Sequence, residues 1–90
     1  MFDKEEYTVR ISENGTKHYR KGDCLHRING PAVECINGYQ AYYQKGLRHR
    51  LNGPAIVDAN GNQGWYIQGL RYTEEEFLAF TQPHYHVITE

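Results

Sequence analysis

Ninety residues, 39% hydrophobic, 13% aromatic and 23% charged, make one domain with a thin core, because a chain this short buries only ~60% of its unfolded surface. A formal net charge of −1 excludes a strong overall field for nucleic acid or a membrane surface. No apolar run approaches the ~20 residues of a membrane helix, and Met1-Phe2-Asp3-Lys4-Glu5-Glu6 has no apolar signal core, so the expected setting is the cytoplasm, with Cys24 and Cys35 as free thiols.

Asn14-Gly15, Asn37-Gly38 and Asn60-Gly61 recur every 23 residues. Each lies between β-branched and aromatic stretches, the pattern of a hairpin with a two-residue type I′ turn. The flanking strands are expected at 7–11 and 16–20, then 32–36 and 39–44, then 55–58 and 63–67. This makes six strands in antiparallel up-and-down order. A second turn follows each hairpin, at Lys21-Gly22, Lys45-Gly46 and Gln68-Gly69. The first of these is offset by one residue, which reads as an insertion at Asp23. The chain then returns through His26-Arg27-Ile28-Asn29-Gly30-Pro31-Ala32 and, 23 residues later, His49-Arg50-Leu51-Asn52-Gly53-Pro54-Ala55. Gly53 is expected at positive φ, and the prolines, which lack an N–H, open the following strands.

After Leu70-Arg71-Tyr72 the pattern breaks. Thr73 with Glu76 three residues on is a capping box, and Tyr72 with Phe77 fits a hydrophobic staple. A short helix over 73–81 should fold back and cap the last hairpin, ended by Pro83, with 82–90 as a tail that is an edge strand or a loose end. The expectation is therefore a mainly β, single repeat domain over 1–90: an antiparallel meander of about three hairpins, in units near 14–36, 37–59 and 60–72, with one C-terminal capping helix.

The string from Tyr42-Tyr43 through Gly46 and His49-Arg50 to Gly53-Pro54-Ala55 resembles a repeat of small phage and bacterial proteins related to the MORN and YwqK-type antitoxin repeats. Trp65-Tyr66-Ile67-Gln68-Gly69-Leu70-Arg71 carries it on, so the resemblance covers residues 14–80. It departs from MORN proper at Arg27 and Arg50, where that repeat has Gly after the His. The resemblance implies stacked hairpins that serve as an interaction scaffold. It also implies a phage- or bacterium-encoded accessory protein that binds, sequesters or inhibits a host protein such as a defence component or toxin.

His26-Arg27 and His49-Arg50 contain catalytic residue types. They stand at the same place in both units, whereas catalytic constellations are asymmetric. The reading is structural: the imidazole caps backbone in the return loop and the arginine stacks on a tyrosine of the neighbouring unit. Cys24, His26, Cys35, His84 and His86 are metal-ligand types at no familiar zinc spacing. No Gly-rich stretch enters a helix to cradle phosphate. Neither metal, cofactor nor enzymatic activity is expected.

Residues 13–72 hold eight Lys/Arg against four Asp/Glu, whereas 73–90 hold four acids and no Lys or Arg. Strand alternation sends Tyr42 and Trp65 one way and Tyr43 and Tyr66 the other. Tyr, Trp and Arg dominate binding hot spots. The candidate partner surface is therefore Arg27, Tyr42, Tyr43, Arg48, His49, Arg50, Trp65, Tyr66 and Arg71. The alternative is a small nucleotide-like anion or a nucleic acid held on the same aromatic and arginine face; the modest charge disfavours nucleic acid. A homodimer through the 7–11 edge is a further expectation.

Overall fold

The computed structural model describes residues 7–82. Among these the chain is mainly antiparallel β, with ten strands and one short C-terminal helix. The tail from Pro83 onward, with His84 and His86, lies outside the described residues.

The first and third units contain three strands, one more than the hairpin reading allowed, and the second contains four because its central strand is split in two. The first unit has β1 (Thr8–Ile11), β2 (Lys17–Lys21) and β3 (Cys24–Leu25). The second has β4 (Val33–Glu34), the pair β5 (Gln40–Ala41) and β6 (Tyr43–Gln44), and β7 (Leu47–Arg48). The third has β8 (Ile56–Val57), β9 (Gln63–Ile67) and β10 (Leu70–Tyr72). The sequence reading took β3, β7 and β10 for the start of a return loop because two or three residues are too few for a periodic signal.

The long central strand of each unit changes neighbours half-way. The N–H of Tyr19 donates to the Ala32 carbonyl, and its own carbonyl accepts from His26. Tyr42 repeats this with Ala55 and His49. The front half of each central strand therefore pairs with the next unit's first strand, as in Lys17 with Glu34 and Gln40 with Val57. The rear half pairs with its own third strand, as in Arg20 with Leu25 and Tyr43 with Arg48. Two ladders diverge at these tyrosines. The eight-stranded sheet runs β1-β2-β4-β5-β8-β9-β10, with β3 also paired to β2, and β6-β7 form a separate two-stranded sheet. Ala32, Ala41 and Ala55 are fully buried near the fork, where larger side chains would hold the ladders apart.

Three turn assignments change. At the Asn-Gly hairpins only the glycine has positive φ, at +88° for Gly15, +100° for Gly38 and +88° for Gly61. Each is a type I turn followed by a left-handed glycine. The Gly15 N–H donates to the Ser12 carbonyl at 2.9 Å, and Ser12 N donates to Thr16 O at 2.9 Å. Asparagine is favoured here because Asn14 and Asn37 Oδ1 accept from the backbone N–H two residues on. The type I′ turns are the second ones: Lys45 and Gly46 lie at +54° and +81°, and Gln68 and Gly69 at +52° and +84°.

Asp23 is not an insertion. Lys21 pairs with Cys24 across Gly22-Asp23, as Gln44 pairs with Leu47 across Lys45-Gly46. The period is 23 throughout, and the first unit's glycine has moved one place forward. Gly22 is then the positive-φ residue at the first central position, the type II′ pattern. Gly53 is not at positive φ either. A Cβ there would lie 2.9 Å from the Arg50 guanidinium, and one at Gly30 would lie 2.8 Å from that of Arg27. These glycines let the arginine fold flat across the loop.

α1 (Glu74–Thr81) opens with the expected capping box: Thr73 accepts from Glu76 N, and Glu76 Oε1 accepts from Thr73 N at 2.8 Å. Phe77, 1% exposed, packs against Trp65 with ring centroids 4.8 Å apart. The staple differs from expectation, since Tyr72 stacks on Phe80 at 6.0 Å. No helix among the described residues is long and apolar enough to cross a membrane.

Candidate functional site

The register gives the sheet two unlike faces. On one face lie Tyr19, Tyr42 and Trp65, the same position in successive units, and each has its own cover. The Arg27 guanidinium sits 3.9 Å from the Tyr19 ring centre and the Arg50 guanidinium 4.0 Å from that of Tyr42. Each arginine also donates to a loop carbonyl, Pro31 at 3.2 Å and Pro54 at 3.1 Å. Arg27 further meets Glu34 at 3.7 Å. These tyrosines belong to the arginines' own units, not to the neighbouring ones. One period after Arg50 stands Thr73, and Phe77 of α1 takes over as the cover for Trp65.

His26 and His49 are buried beneath the return loops. Their Nδ1 atoms accept the backbone N–H of Lys45 at 2.9 Å and of Gln68 at 3.0 Å. Each imidazole thus fastens the type I′ turn of the next unit. Tyr7 closes the same face at the other end, edge-on to Tyr19 at 6.0 Å, with its hydroxyl accepting from Ile28 N. Cys24 is exposed and Cys35 half-buried, both as free thiols.

The opposite face carries the cross-strand pairs Arg20–Leu25, Tyr43–Arg48 and Tyr66–Arg71, repeated by the 23-residue period. Arg10 and His18 join them from the first hairpin. No acidic residue of the described strands falls on this face; Glu34 pairs with Lys17 on the other. Arg48 lies at its centre. It donates from Nε to the Tyr43 hydroxyl at 3.4 Å and from a terminal nitrogen to the Tyr66 hydroxyl at 3.2 Å, and so ties the second unit to the third. The hydrogen bond to Tyr43 holds this guanidinium above its ordinary pKa, against the effect of burial. Burial likewise raises the Tyr39 phenol, Tyr43 adds to the shift and Arg48 opposes it.

Of the nine candidate residues, Tyr43, Arg48, Tyr66 and Arg71 share this face, where Arg71 is exposed and the other three are half-buried. Arg27, Tyr42, His49, Arg50 and Trp65 belong to the covered one. Sequence reasoning missed Tyr39, which borders a turn, and Gly64. A Cβ at 64 would lie 3.1 Å from the Tyr66 ring, so glycine lets that ring lie down along its own strand. The signal was present: the same position holds His18 and Ala41 in the other units.

A cleft of about 250 Å³ opens between the two return loops, lined among others by Arg27, Asn29, Tyr42, Arg50, Leu51 and Asn52. Among the described residues no group of three or more His, Cys, Asp or Glu is placed to hold a metal ion.

Comparison of the chain with protein-family models, with curated proteins and with solved structures returned no match.

Proposed function

We propose that this chain is a non-catalytic protein-binding module that engages its partner through the uncovered face of the sheet. The observation that carries the reading is the division of labour between the faces. One set of aromatics is covered by arginines, the return loops and the helix. The other set is half-buried with no described helix or return loop over it, and Arg10, Arg20 and Arg71 are exposed around it. Tyr and Arg give large contact areas, and Arg48 already orders two tyrosines, which lowers the entropy lost on binding. In line with the resemblance to MORN and YwqK-type repeats, the partner would be a host protein, met in the cytoplasm by a phage- or bacterium-encoded inhibitor or antitoxin-like accessory protein. This setting rests on analogy.

A nucleotide-like anion in the return-loop cleft is the second reading. It is weaker because Arg27 and Arg50 are each engaged by a ring and a carbonyl. The test is capture of host proteins on the immobilised chain and on two exposed-site variants, Arg71→Glu and Leu51→Glu. Loss of a stoichiometric protein with Arg71→Glu alone is the expected result. Loss with Leu51→Glu alone would move the site to the cleft. A homodimer through the exposed edge of β1 would appear as concentration-dependent mass in sedimentation.

A further inference from the structure

The described strands of the uncovered face carry basic side chains and no acidic ones. They contribute Arg10, Arg20, Arg48 and Arg71, plus His18, and no carboxylate; the acid beside them, Asp58 just past β8, lines a cleft with Tyr66 and Arg71 but is held by Asn60 and Asn62. This bias is local, because the whole chain is nearly neutral. The opposite face mixes Lys17, Lys21 and Glu34. Arg48 is committed to its two phenols. Arg10, Arg20 and Arg71 are exposed and make no ion pair, hydrogen bond or ring contact among the described residues.

Arg71 differs from Arg48 in its partners. Arg48 reaches Tyr43 of its own unit and Tyr66 of the next. Arg71 has Tyr66 across the strand pair, but no second phenol bonds it among the described residues. Its guanidinium keeps donors for an external acceptor. Carboxylates are the natural acceptors for several guanidinium forks on one rigid surface, because each pair can be bidentate and the like charges mutually raise the local potential.

We infer that this face takes an acidic, Asp/Glu-rich segment of the partner protein, with Arg20 and Arg71 as the outer contacts and the hydrogen-bonded Tyr43–Arg48–Tyr66 bridge as the floor between them. The inference rests on the protein-binding reading and names its chemistry. A nucleic acid is disfavoured by the same geometry. Base stacking needs open ring faces. The Tyr66 ring has strand backbone at Gly64 on one side and the Arg48 guanidinium 5.2 Å from its centre, and Arg48 also holds both hydroxyls.

The test is fluorescence anisotropy of a labelled Asp/Glu-rich peptide titrated with the full chain, at about 50 mM and about 300 mM salt. Saturable binding that weakens at the higher salt is expected. Exposed ion pairs are individually weak, so Arg20→Ala and Arg71→Ala should each lower affinity about threefold, and the double variant about tenfold. Lys17→Ala removes the same charge from the opposite face and should leave affinity unchanged. Equal weakening by Lys17→Ala would reduce the effect to net charge and overturn the inference. So would an oligothymidylate of equal charge that outcompetes the peptide in an Arg71-dependent way. Absence of peptide binding, with host-protein capture intact and still lost in Arg71→Glu, would overturn the acidic segment alone and leave the protein-binding reading standing.

Discussion

Phe77→Ala removes the largest fully buried side chain among the described residues. Truncating a buried Phe costs about 3–5 kcal/mol, from lost transfer energy plus the cavity left behind. A chain of this size has about 5–13 kcal/mol to lose. An eight-residue helix does not persist on its own in water, so without the Phe77 contact α1 should detach and expose Trp65. Trp65 is the chain's one tryptophan and packs directly on Phe77, so its fluorescence reports the event without a label. In urea, with a slope of about 1.5 kcal/mol/M, the midpoint should fall by about 2–3 M. Phe80→Ala is the matched control. That ring is 65% exposed and touches Tyr72, so its removal should cost less than about 1 kcal/mol. A Phe77→Ala cost below about 1 kcal/mol, or one no larger than that of Phe80→Ala, would refute the view that the helix seals the array.

Gly53→Ala should destabilise by about 1–3 kcal/mol, because its Cβ must push the Arg50 guanidinium off Tyr42; pairing it with Arg50→Ala should erase most of that cost in thermal melts. His49→Ala should speed amide exchange at Gln68 and leave Lys45 protected, and His26→Ala should do the reverse, since each imidazole serves one turn. Identical exchange at both amides in the two variants would rule the pairing out. Asp58 accepts from the Asn62 side chain and from the backbone of Asn62 and Asn60, which holds its carboxyl below the ordinary value. Its stabilisation is therefore complete above the unfolded carboxylate pKa and disappears as pH falls through the lower, folded one. Asp58→Asn should flatten the melting-temperature profile across that acid window.

The 23-residue period was legible because several positions are rewritten almost unchanged, and the two His-Arg pairs it relates make the same contacts in both units. Their partners were half-legible. The imidazole capping followed from repetition, but the arginine's tyrosine lies eight residues earlier in its own unit, and only the folded loop reveals that. The turn types were misassigned because Asn-Gly serves both a type I′ turn and a type I turn with a left-handed glycine; the choice depends on the Asx hydrogen bond, which composition does not display. Alternation divided the aromatics into two sets, yet it carries no information on which set is covered. That answer came from Arg27, Arg50 and α1, and hence from tertiary contacts.

The first turn has a consequence for how such a chain grows. Inner turns present Gly46 beneath Cys24 and Gly69 beneath Leu47, where an added Cβ would come within 3.6 and 3.2 Å of those side chains. The first unit has Asp23 at that position, with a Cβ and a charge. At the far end of the described array α1 covers Trp65. Among the described residues the array is closed by α1 at that end, so a further unit is most simply added from within. Duplicating residues 37–59 would add one more Tyr–Arg pair and about 10 Å of uncovered face, two strand spacings, with both termini unchanged. The number of units, and with it the span of partner surface that can be read, is then a quantity that selection or an engineer can set in whole steps of 23 residues.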